Sequence, residues 1–180
     1  MTIIERKQKL RNELTRVLLN IPKIQKHNKS KIILEKLLND PYFKSAKTVL
    51  TFASTGNEPF TWDFIQHYKK YNKDFYLPVS LSMRVGKIDE KLKLGVDGHC
   101  IFIPLNTVPI KTIEHFDVVL VPGLGFDSHL HRLGHGSGWY DRALKILNAK
   151  RIIGLCFKEQ VVDALPTATF DVKVDQLITD

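Results

Sequence analysis

The residues best suited to chemistry lie in one short glycine-rich stretch. Glycine occupies every second position of residues 134–138, and Arg132 and His135 are interleaved with it. Glycine has no Cβ, so the backbone can turn its N–H groups inward, and the helix predicted from Trp139 onward adds further unpaired donors. Inward N–H groups beside cationic side chains form the kind of surface that binds phosphate. A flexible surface turn is the alternative explanation.

Two aspartates could supply the hard oxygen ligands that Mg²⁺ prefers. Asp141 falls in the first turn of the predicted helix, where the helix dipole also stabilises a carboxylate without any metal. Asp175 lies near the end of a predicted strand, where a metal ligand and a solvated strand end are equally good explanations. Together with a phosphate-binding loop, these acids make a nucleotide-using enzyme the leading hypothesis. The glycine spacing matches neither the ordinary P-loop nor the dinucleotide-binding pattern.

Two cations on the first predicted helix lie where apolar residues are expected. At about 100° per residue, Lys7 points into the stripe formed by the apolar residues of 10–21, and Arg11 lies at the edge of that stripe. A charge on an apolar face is costly unless it is paired. Either these side chains snorkel at a frayed helix end, or they reach over the core toward a bound polyphosphate.

Glu58 and two aromatic residues complete the candidate side chains. Glu58 lies in a turn-rich loop, so it either orients a substrate or is an exposed loop acid. Trp139 and Tyr140 could stack on a flat heterocycle or pack into the core. The sequence contains no GxSxG or HExxH pattern. His129 and its neighbour at 131 have no evident third zinc ligand.

The predicted elements place the candidate residues at one edge of a sheet. Helices and strands alternate, and several strands are continuously apolar, which favours an α/β fold with a mainly parallel sheet covered on both faces. Ligands of such folds gather at the carboxyl ends of the strands, so the loops 54–61 and 123–138 should form two halves of a site. Thr61 is expected to cap the helix that follows it. The pattern predicts helices over 3–21, 29–38, 62–71 and 139–148, and strands over 48–53, 74–79, 82–88, 101–103, 118–121, 152–157 and 174–179.

Composition restricts the class of protein. A chain of 180 residues that is 43% hydrophobic can bury one core, so a single domain is expected. The two cysteines, Cys100 and Cys156, form no CxxC pair, which favours a reducing compartment and argues against a structural zinc site. No segment approaches the roughly 18 consecutive apolar residues of a membrane span, and the charged N-terminus does not resemble a signal peptide. We therefore expect a cytoplasmic protein with no membrane partner.

The net charge of +8 belongs entirely to the first fifty residues, which contain 12 Lys/Arg against 4 Asp/Glu. Such a basic end could bind RNA or an anionic membrane, could concentrate a polyanionic small molecule, or could form solvated helix faces. It lacks the interleaved aromatic residues of known RNA-binding modules, so no nucleic-acid partner is expected.

Five groups of residues, spread over most of the chain, together resemble one enzyme family. They are K-x-x-x-R (Lys7, Arg11), F-x-S-x-x-x-E-x-x-T (Phe52, Ser54, Glu58, Thr61), D-x-x-x-V-P-G-L-x-F-D (117–127), R-L-G-x-G-x-G-x-Y-D-R (132–142) and a closing F-K-E-Q with D-x-x-V-D-x-x-I-T (157–179). On these motifs the chain resembles the 5-formyltetrahydrofolate cyclo-ligase family.

The resemblance implies a three-layer α/β/α fold and ATP with Mg²⁺ as co-substrate, and we expect a single-domain monomer. It implies catalytic roles for Arg132 and Tyr140, folate contacts from Ala53, Glu58 and Trp139, and Mg²⁺ ligands in Asp141 and Asp175. The ATP-binding residues it implies are Lys7, Arg11, Arg132, Leu133, Gly134, His135, Gly136, Ser137, Gly138, Trp139 and Tyr140.

The reaction implied by the resemblance converts 5-formyltetrahydrofolate and ATP to 5,10-methenyltetrahydrofolate, ADP and phosphate. The formyl oxygen would attack the γ-phosphate, and N10 would then close the ring as phosphate leaves. No protein nucleophile is needed, which agrees with the lack of a recognisable catalytic triad. The protein would contribute positioning and charge neutralisation.

Five positions differ from the usual family pattern. His135 stands where Arg is usual, Ser137 where Gly or Lys is usual, and Trp139 where Tyr is usual. Val79 and Ile103 stand where Arg and Glu are common. The nucleotide residues are otherwise retained, whereas the folate contacts near Val79 and Ile103 would differ. A catalytically weak paralogue that binds folate or nucleotide is therefore the second hypothesis.

Overall fold

The computed structural model describes residues 1–79, 84–96, 102–105 and 115–180. Cys100, Ile101 and the first two residues of the strand predicted at 82–88 lie outside these ranges. The described helices are α1 (Ile3–Asn20), α2 (Lys23–Asn39), α3 (Pro41–Ser45), α4 (Trp62–Gln66) and α5 (Trp139–Ile146), with short 3-10 helices at Tyr68–Tyr71 and Lys158–Gln160.

The described strands form one large sheet and two small ones. The large sheet has the order β11-β9-β6-β1-β2-β3, and every neighbouring pair is parallel except β2 with β3. The prediction of a mainly parallel sheet is therefore confirmed. The strands are β1 (Thr48–Leu50), β2 (Asp74–Val79), β3 (Arg84–Lys87), β4 (Leu94–Val96), β5 (Phe102–Pro104), β6 (His115–Val121), β7 (Gly125–Asp127), β8 (Arg132–Leu133), β9 (Asn148–Leu155), β10 (Val161–Val162) and β11 (Gln176–Ile178).

Both faces of the large sheet are covered, because successive strand residues point to opposite sides. On β6, Val118 and Leu120 join the buried cluster completed by residues of α1 to α4. Val119 and Val121 join a second cluster, on the other face, with residues of α5 and β7. Helices on one side, the sheet in the middle and α5 with the β7–β8 hairpin on the other side make the three expected layers.

The start of α1 is fixed by a capping box. Thr2 Oγ1 accepts the backbone N–H of Glu5 at 3.2 Å, and the Glu5 carboxylate accepts the backbone N–H of Thr2 at 2.8 Å. These two bonds satisfy donors that a helix N-terminus leaves unpaired. The two cations of interest follow in the next turns of the helix, Lys7 in the second and Arg11 in the third. Among the described residues, no helix is long and apolar enough to cross a membrane.

Several predicted boundaries were wrong for physical reasons. Helix α2 begins at Lys23 and not at residue 29, because its polar first turns still consist of residues compatible with a helix. Thr61 makes no capping bond to α4. Its hydroxyl donates to the Phe52 carbonyl and accepts the N–H of Ser54, so it closes a loop instead. Helix α4 ends at Gln66, and the strand predicted from residue 152 starts at Asn148.

Candidate active site

The candidate site lies where the chain leaves β6 at the carboxyl edge of the sheet. The chain continues through β7, turns back along β8, and enters α5 through residues 134–138, the glycine loop. Leu124 N donates to Leu133 O at 2.8 Å, which closes the hairpin that presents this loop. Gly136 and Gly138 have φ values of 113° and 64°. Only glycine adopts such angles without strain, so the loop geometry explains two of the alternating glycines.

Arg132 forms the buried floor beneath the glycine loop. Its side chain is 4% exposed, and Nη2 donates to Asp141 Oδ2 at 3.0 Å. The guanidinium also lies over the Tyr140 ring, 5.5 Å from its centroid. Within the described part of the chain, Arg132 Nε is buried without a hydrogen-bond partner. A donor of this kind is costly unless another group satisfies it, and a bound ligand would be such a group.

Tyr140 carries a second unpaired polar atom at the same place. Its hydroxyl oxygen is buried and has no hydrogen-bond partner among the residues the structure describes. Burial raises the pKa of Tyr140 well above its usual value, and the nearby Glu58 carboxylate raises it further, while Arg132 acts in the opposite direction. The phenol therefore stays protonated across the physiological pH range and remains able to donate a hydrogen bond.

The two cations of α1 have different partners. Arg11 Nε donates to Gly134 O at 2.9 Å, so Arg11 lies directly against the glycine loop. Lys7 Nζ lies 2.7 Å and 2.5 Å from the two carboxylate oxygens of Asp171, and its side chain is 12% exposed. The frayed-end explanation for Lys7 is wrong, because the helix start is capped and the charge is paired and largely buried. Reach toward a polyphosphate stays a prediction.

The loop at residues 54–61 is closed by hydrogen bonds between its first and last residues. Ser54 N donates to Thr61 Oγ1 at 3.2 Å, and Thr61 N donates to Ser54 Oγ at 3.1 Å. Glu58 Oε2 accepts both the N–H and the hydroxyl of Thr55, at 2.7 Å and 3.1 Å. Ala53, which precedes the loop, is buried. Glu58 is therefore a fixed acid, and the alternative of a freely exposed loop acid is wrong.

The 54–61 loop and the glycine loop lie against each other. Glu58 Oε1 is 3.6 Å from His135 Nε2, with the Glu58 side chain 9% exposed and the His135 side chain 53% exposed. The expectation that these two loops are neighbours is confirmed, and their joint role as a site stays a prediction. Trp139 and Tyr140 follow the glycine loop, with their ring centroids 4.9 Å apart in an edge-to-face arrangement. The structure thus places the glycine loop with its Arg11 contact, a fixed carboxylate and two aromatic rings together.

The two expected magnesium ligands are engaged within the protein. Asp141 accepts Arg132 through Oδ2 and the N–H of Val172 through Oδ1 at 3.3 Å. Asp175 Oδ2 accepts the N–H of Ile152 at 2.7 Å. Among the described residues, no three His, Cys, Asp or Glu side chains cluster as a metal site. Mg²⁺ commonly uses one or two carboxylates with waters and substrate phosphates, and a magnesium ion held by Asp141 and Asp175 stays a prediction.

Three residues that support the site carried no role in the sequence-based prediction. Gln160 is fully buried, and its Nε2 donates to Gly123 O at 2.6 Å, which fixes the chain as it leaves β6. Asp127 closes the turn before β8. Burial alone would raise the pKa of Asp127, but donors from Leu165 and His131 hold that pKa below its usual range. Asp171 pairs with Lys7. All three residues lie inside the motifs that carry the resemblance, which was the available signal.

The chain is similar to known proteins over nearly its whole length. Residues 3–180 match the model of the 5-formyltetrahydrofolate cyclo-ligase family. The 5-formyltetrahydrofolate cyclo-ligase of Haemophilus influenzae is 28% identical and is covered over 97% of both chains. The mouse (Mus musculus) enzyme of the same name is 25% identical over 99% of this chain and 95% of its own.

Solved structures agree with the fold. The NMR structure of Aquifex aeolicus 5,10-methenyltetrahydrofolate synthetase superposes with a TM-score of 0.80 at 26% identity, covering 96% of this chain and 88% of that one. The 5,10-methenyltetrahydrofolate synthetase of Mycoplasma pneumoniae gives a TM-score of 0.73 at 24% identity, covering 97% and 98%. At that identity the second likeness concerns the fold alone.

Proposed function

The chain belongs to the 5-formyltetrahydrofolate cyclo-ligase family, and from this premise we propose that it cyclises 5-formyltetrahydrofolate to 5,10-methenyltetrahydrofolate at the expense of ATP. The observation that carries the proposal is the contact between Glu58 and His135. It brings a fixed carboxylate against the glycine loop, so a folate and a nucleotide can be held side by side. Transfer of a phosphoryl group between two substrates requires that proximity.

The proposed reaction has two steps, phosphoryl transfer to the formyl oxygen and closure of the ring. The formyl oxygen of the folate attacks the γ-phosphorus, the bond from that phosphorus to the β-phosphate bridge oxygen breaks, and ADP leaves. The lone pair of N10 then attacks the formyl carbon, the bond from this carbon to the phosphorylated oxygen breaks, and N10 gives up its proton. Phosphate departs with the former formyl oxygen, which leaves the cationic methenyl ring.

The nucleotide half of the site supplies positive charge and donors. The glycine loop presents backbone N–H groups. Arg11 reaches this loop from α1, and Arg132 lies beside it on β8. Arg132 Nε and the Tyr140 hydroxyl are the buried unpaired polar atoms of this region. We assign both groups as donors to the transferred phosphoryl group, because fixed donors in a site with little water stabilise developing charge strongly.

The folate half of the site supplies orientation. Glu58 is held by Thr55 and can accept hydrogen bonds from an amino-substituted ring through Oε1, its oxygen on the His135 side. Ala53, three residues after the end of β1, contributes its backbone to the folate contacts. Trp139 offers an aromatic face for the folate ring. Val79 ends β2 and Ile103 lies in β5. At these two positions the chain lacks the polar residues common in the family.

Magnesium is proposed as the cofactor, with Asp141 and Asp175 as its protein ligands. When bound, the ion would neutralise phosphate charge. Asp141 already lies beneath the glycine loop through its bond with Arg132. The monomer and the cytoplasm, expected from the sequence, stay proposals.

The proposal is tested by mixing the purified protein with 5-formyltetrahydrofolate and MgATP and recording the absorbance of the methenyl product. We expect product and ADP in equal amounts, and no product when ATP is omitted. Binding of folate or nucleotide without product would instead favour the weak paralogue. RNA binding with a steep salt dependence, and without turnover, would favour a role for the basic N-terminal region in nucleic-acid binding.

A further inference from the structure

The C-terminal segment that precedes β11 makes direct contact with the nucleotide half of the site. Asp171 is 164 residues away from Lys7 in the sequence, and its carboxylate holds the Lys7 ammonium through both oxygens at 2.7 Å and 2.5 Å. The two side chains are 12% and 10% exposed. In the exposed state such pairs contribute little, whereas a largely buried pair holds a charged group in one position.

The carboxylate of Asp171 is itself held in place. Asp171 N donates to Ala168 O at 3.1 Å, and Ala168 N donates back to Asp171 Oδ2 at 2.7 Å. These two bonds close a tight turn in which the aspartate side chain has little freedom. The neighbouring Phe170 ring lies 5.6 Å from the Lys7 nitrogen. A flexible lysine side chain is therefore fixed at its charged end by a rigid turn.

The same turn is connected to the glycine loop by a second route. Val172, the residue after Asp171, donates its N–H to Asp141 Oδ1 at 3.3 Å. Asp141 in turn binds Arg132, and Val174 N donates to Leu130 O at 3.0 Å, just before β8. The segment thus spans Lys7 on one side and the Arg132–Asp141 pair on the other. One short segment, residues 171–174, therefore contacts Lys7 on α1 directly and Arg132 on β8 through Asp141.

From these contacts we propose that Asp171 is a positioning residue for ATP, which acts by holding the Lys7 ammonium ready for the nucleotide phosphates. The inference rests on the function proposed above. A lysine side chain loses rotamer entropy when it is immobilised. Pairing with Asp171 removes that freedom before the nucleotide binds, and preorganised charge is the form of charge that assists phosphoryl transfer.

The test compares Asp171→Asn with the unchanged protein in the methenyl assay. Asparagine keeps an oxygen to accept Ala168 N but loses the charge that holds Lys7. We expect the KM for ATP to rise about tenfold, the size of one lost charge-assisted contact, and the KM for 5-formyltetrahydrofolate to change less than about twofold. Direct titration with ADP should show the same loss of affinity.

A double-mutant comparison separates positioning from simple stabilisation. Lys7→Ala alone should weaken ATP binding more than folate binding. If Asp171 acts through Lys7, adding Asp171→Asn to Lys7→Ala should raise the KM for ATP less than about twofold further. An undiminished effect of Asp171→Asn in the Lys7→Ala protein would overturn the proposal, as would an unchanged or lowered KM for ATP in the single variant.

The matched control is the other buried ion pair of the C-terminal region. Lys29 Nζ lies 2.7 Å from Asp180 Oδ2, and their side chains are 19% and 7% exposed. Asp180→Asn should lower the melting temperature and leave the KM for ATP unchanged. An equal rise of that KM in Asp180→Asn would show that loss of stability explains both variants and would refute positioning.

Failure of Asp171→Asn to fold and failure of the proposed function lead to different measurements. If Asp171→Asn does not fold, Asp171→Glu replaces it, because glutamate keeps the charge but displaces it, and we expect a smaller rise in the KM for ATP. An unchanged KM in Asp171→Glu would then count against positioning. If the unchanged protein forms no methenyl product, the proposed function fails, and the ADP titration of the same variants still decides whether Asp171 fixes a phosphate-binding lysine.

Discussion

The 54–61 loop and the glycine loop meet at Glu58 and His135 but are held by different kinds of interaction. The first is closed chiefly by the reciprocal pair of neutral hydrogen bonds between Ser54 and Thr61, with additional charged contacts from Glu58 and Lys26. The second is held by charged side chains from distant elements, such as Arg11 on Gly134 O. Neutral bonds of this kind fix a shape and have little reason to change when a ligand binds. Charged side chains can also gain phosphate oxygens as partners.

This difference suggests a division of labour between the loops. The 54–61 loop forms a rigid wall that would select a folate by shape and by one carboxylate. The glycine loop forms a surface whose cations are already immobilised by internal partners, so a polyphosphate would meet them in position. Substitutions in the two loops should therefore affect different substrates, and three predictions test that separation.

The largest effect is expected from Arg132→Ala. The change removes a buried cation and leaves Asp141 without its partner, so both turnover and stability should fall. Loss of one donor to a phosphoryl group in such sites costs about 10²–10³ in rate, and breaking a buried pair costs about 3–5 kcal/mol of stability. The methenyl assay measures the first effect, and thermal unfolding followed by circular dichroism measures the second.

Arg142→Ala is the matched control for that variant. Arg142 lies on α5 next to Asp141, but it is exposed, and it donates to the Ser137 carbonyl at 2.8 Å. Its removal should change kcat/KM by less than about threefold. Near-normal turnover of folded Arg132→Ala would contradict the assignment of the glycine loop and its floor as the phosphate site.

A smaller and selective effect is expected from Glu58→Gln. Glutamine keeps an acceptor for the Thr55 N–H, so the loop should retain its shape. The lost charge should raise the KM for 5-formyltetrahydrofolate about tenfold, the usual size of one charge-assisted hydrogen bond. The KM for ATP should change less than about threefold. Glu90→Gln, at an exposed acid paired with Lys69, should change neither value.

The opposite pattern in Glu58→Gln would remove the division between the loops. If the KM for ATP rose and the folate value stayed constant, Glu58 would serve the nucleotide through His135. The two substrates must therefore be varied separately, each at a saturating concentration of the other.

The sequence predicted those parts of the fold and site that depend on the pattern of neighbouring residues. The apolar run of β6 and the glycine spacing before α5 both follow from rules that act over a few residues. The resemblance added ordered motifs, which assign Lys7 and Arg132 to one site. The parallel sheet then fixed which loops share an edge.

The parts that could not be predicted depend on contacts between distant segments. The partner of Lys7 is Asp171, and no periodicity links residues 164 positions apart. Thr61 has the residue type and position of a helix cap, yet a loop closure across seven residues uses its hydroxyl instead. The role of Gln160 is similar, because its amide binds the chain at Gly123, which only the folded sheet brings near.

The smallest effect is expected from His135→Arg, which bears on the contact between the loops. His135 is half exposed, so a permanent charge there should lower the KM for ATP only about threefold, within the range of exposed charge pairs. A guanidinium carries a permanent charge and five N–H donors, so it can add a contact to a phosphate.

Glu58 faces His135, with Oε1 3.6 Å from His135 Nε2. Its carboxylate could compete with the nucleotide phosphates for a cation at position 135. The control is His129→Arg, which adds the same charge at an exposed position of the turn before β8. If both variants lowered the KM for ATP equally, net charge alone would explain the gain. If only His135→Arg gained affinity, its position in the glycine loop would be the cause, since a long-range field does not distinguish two exposed sites so sharply.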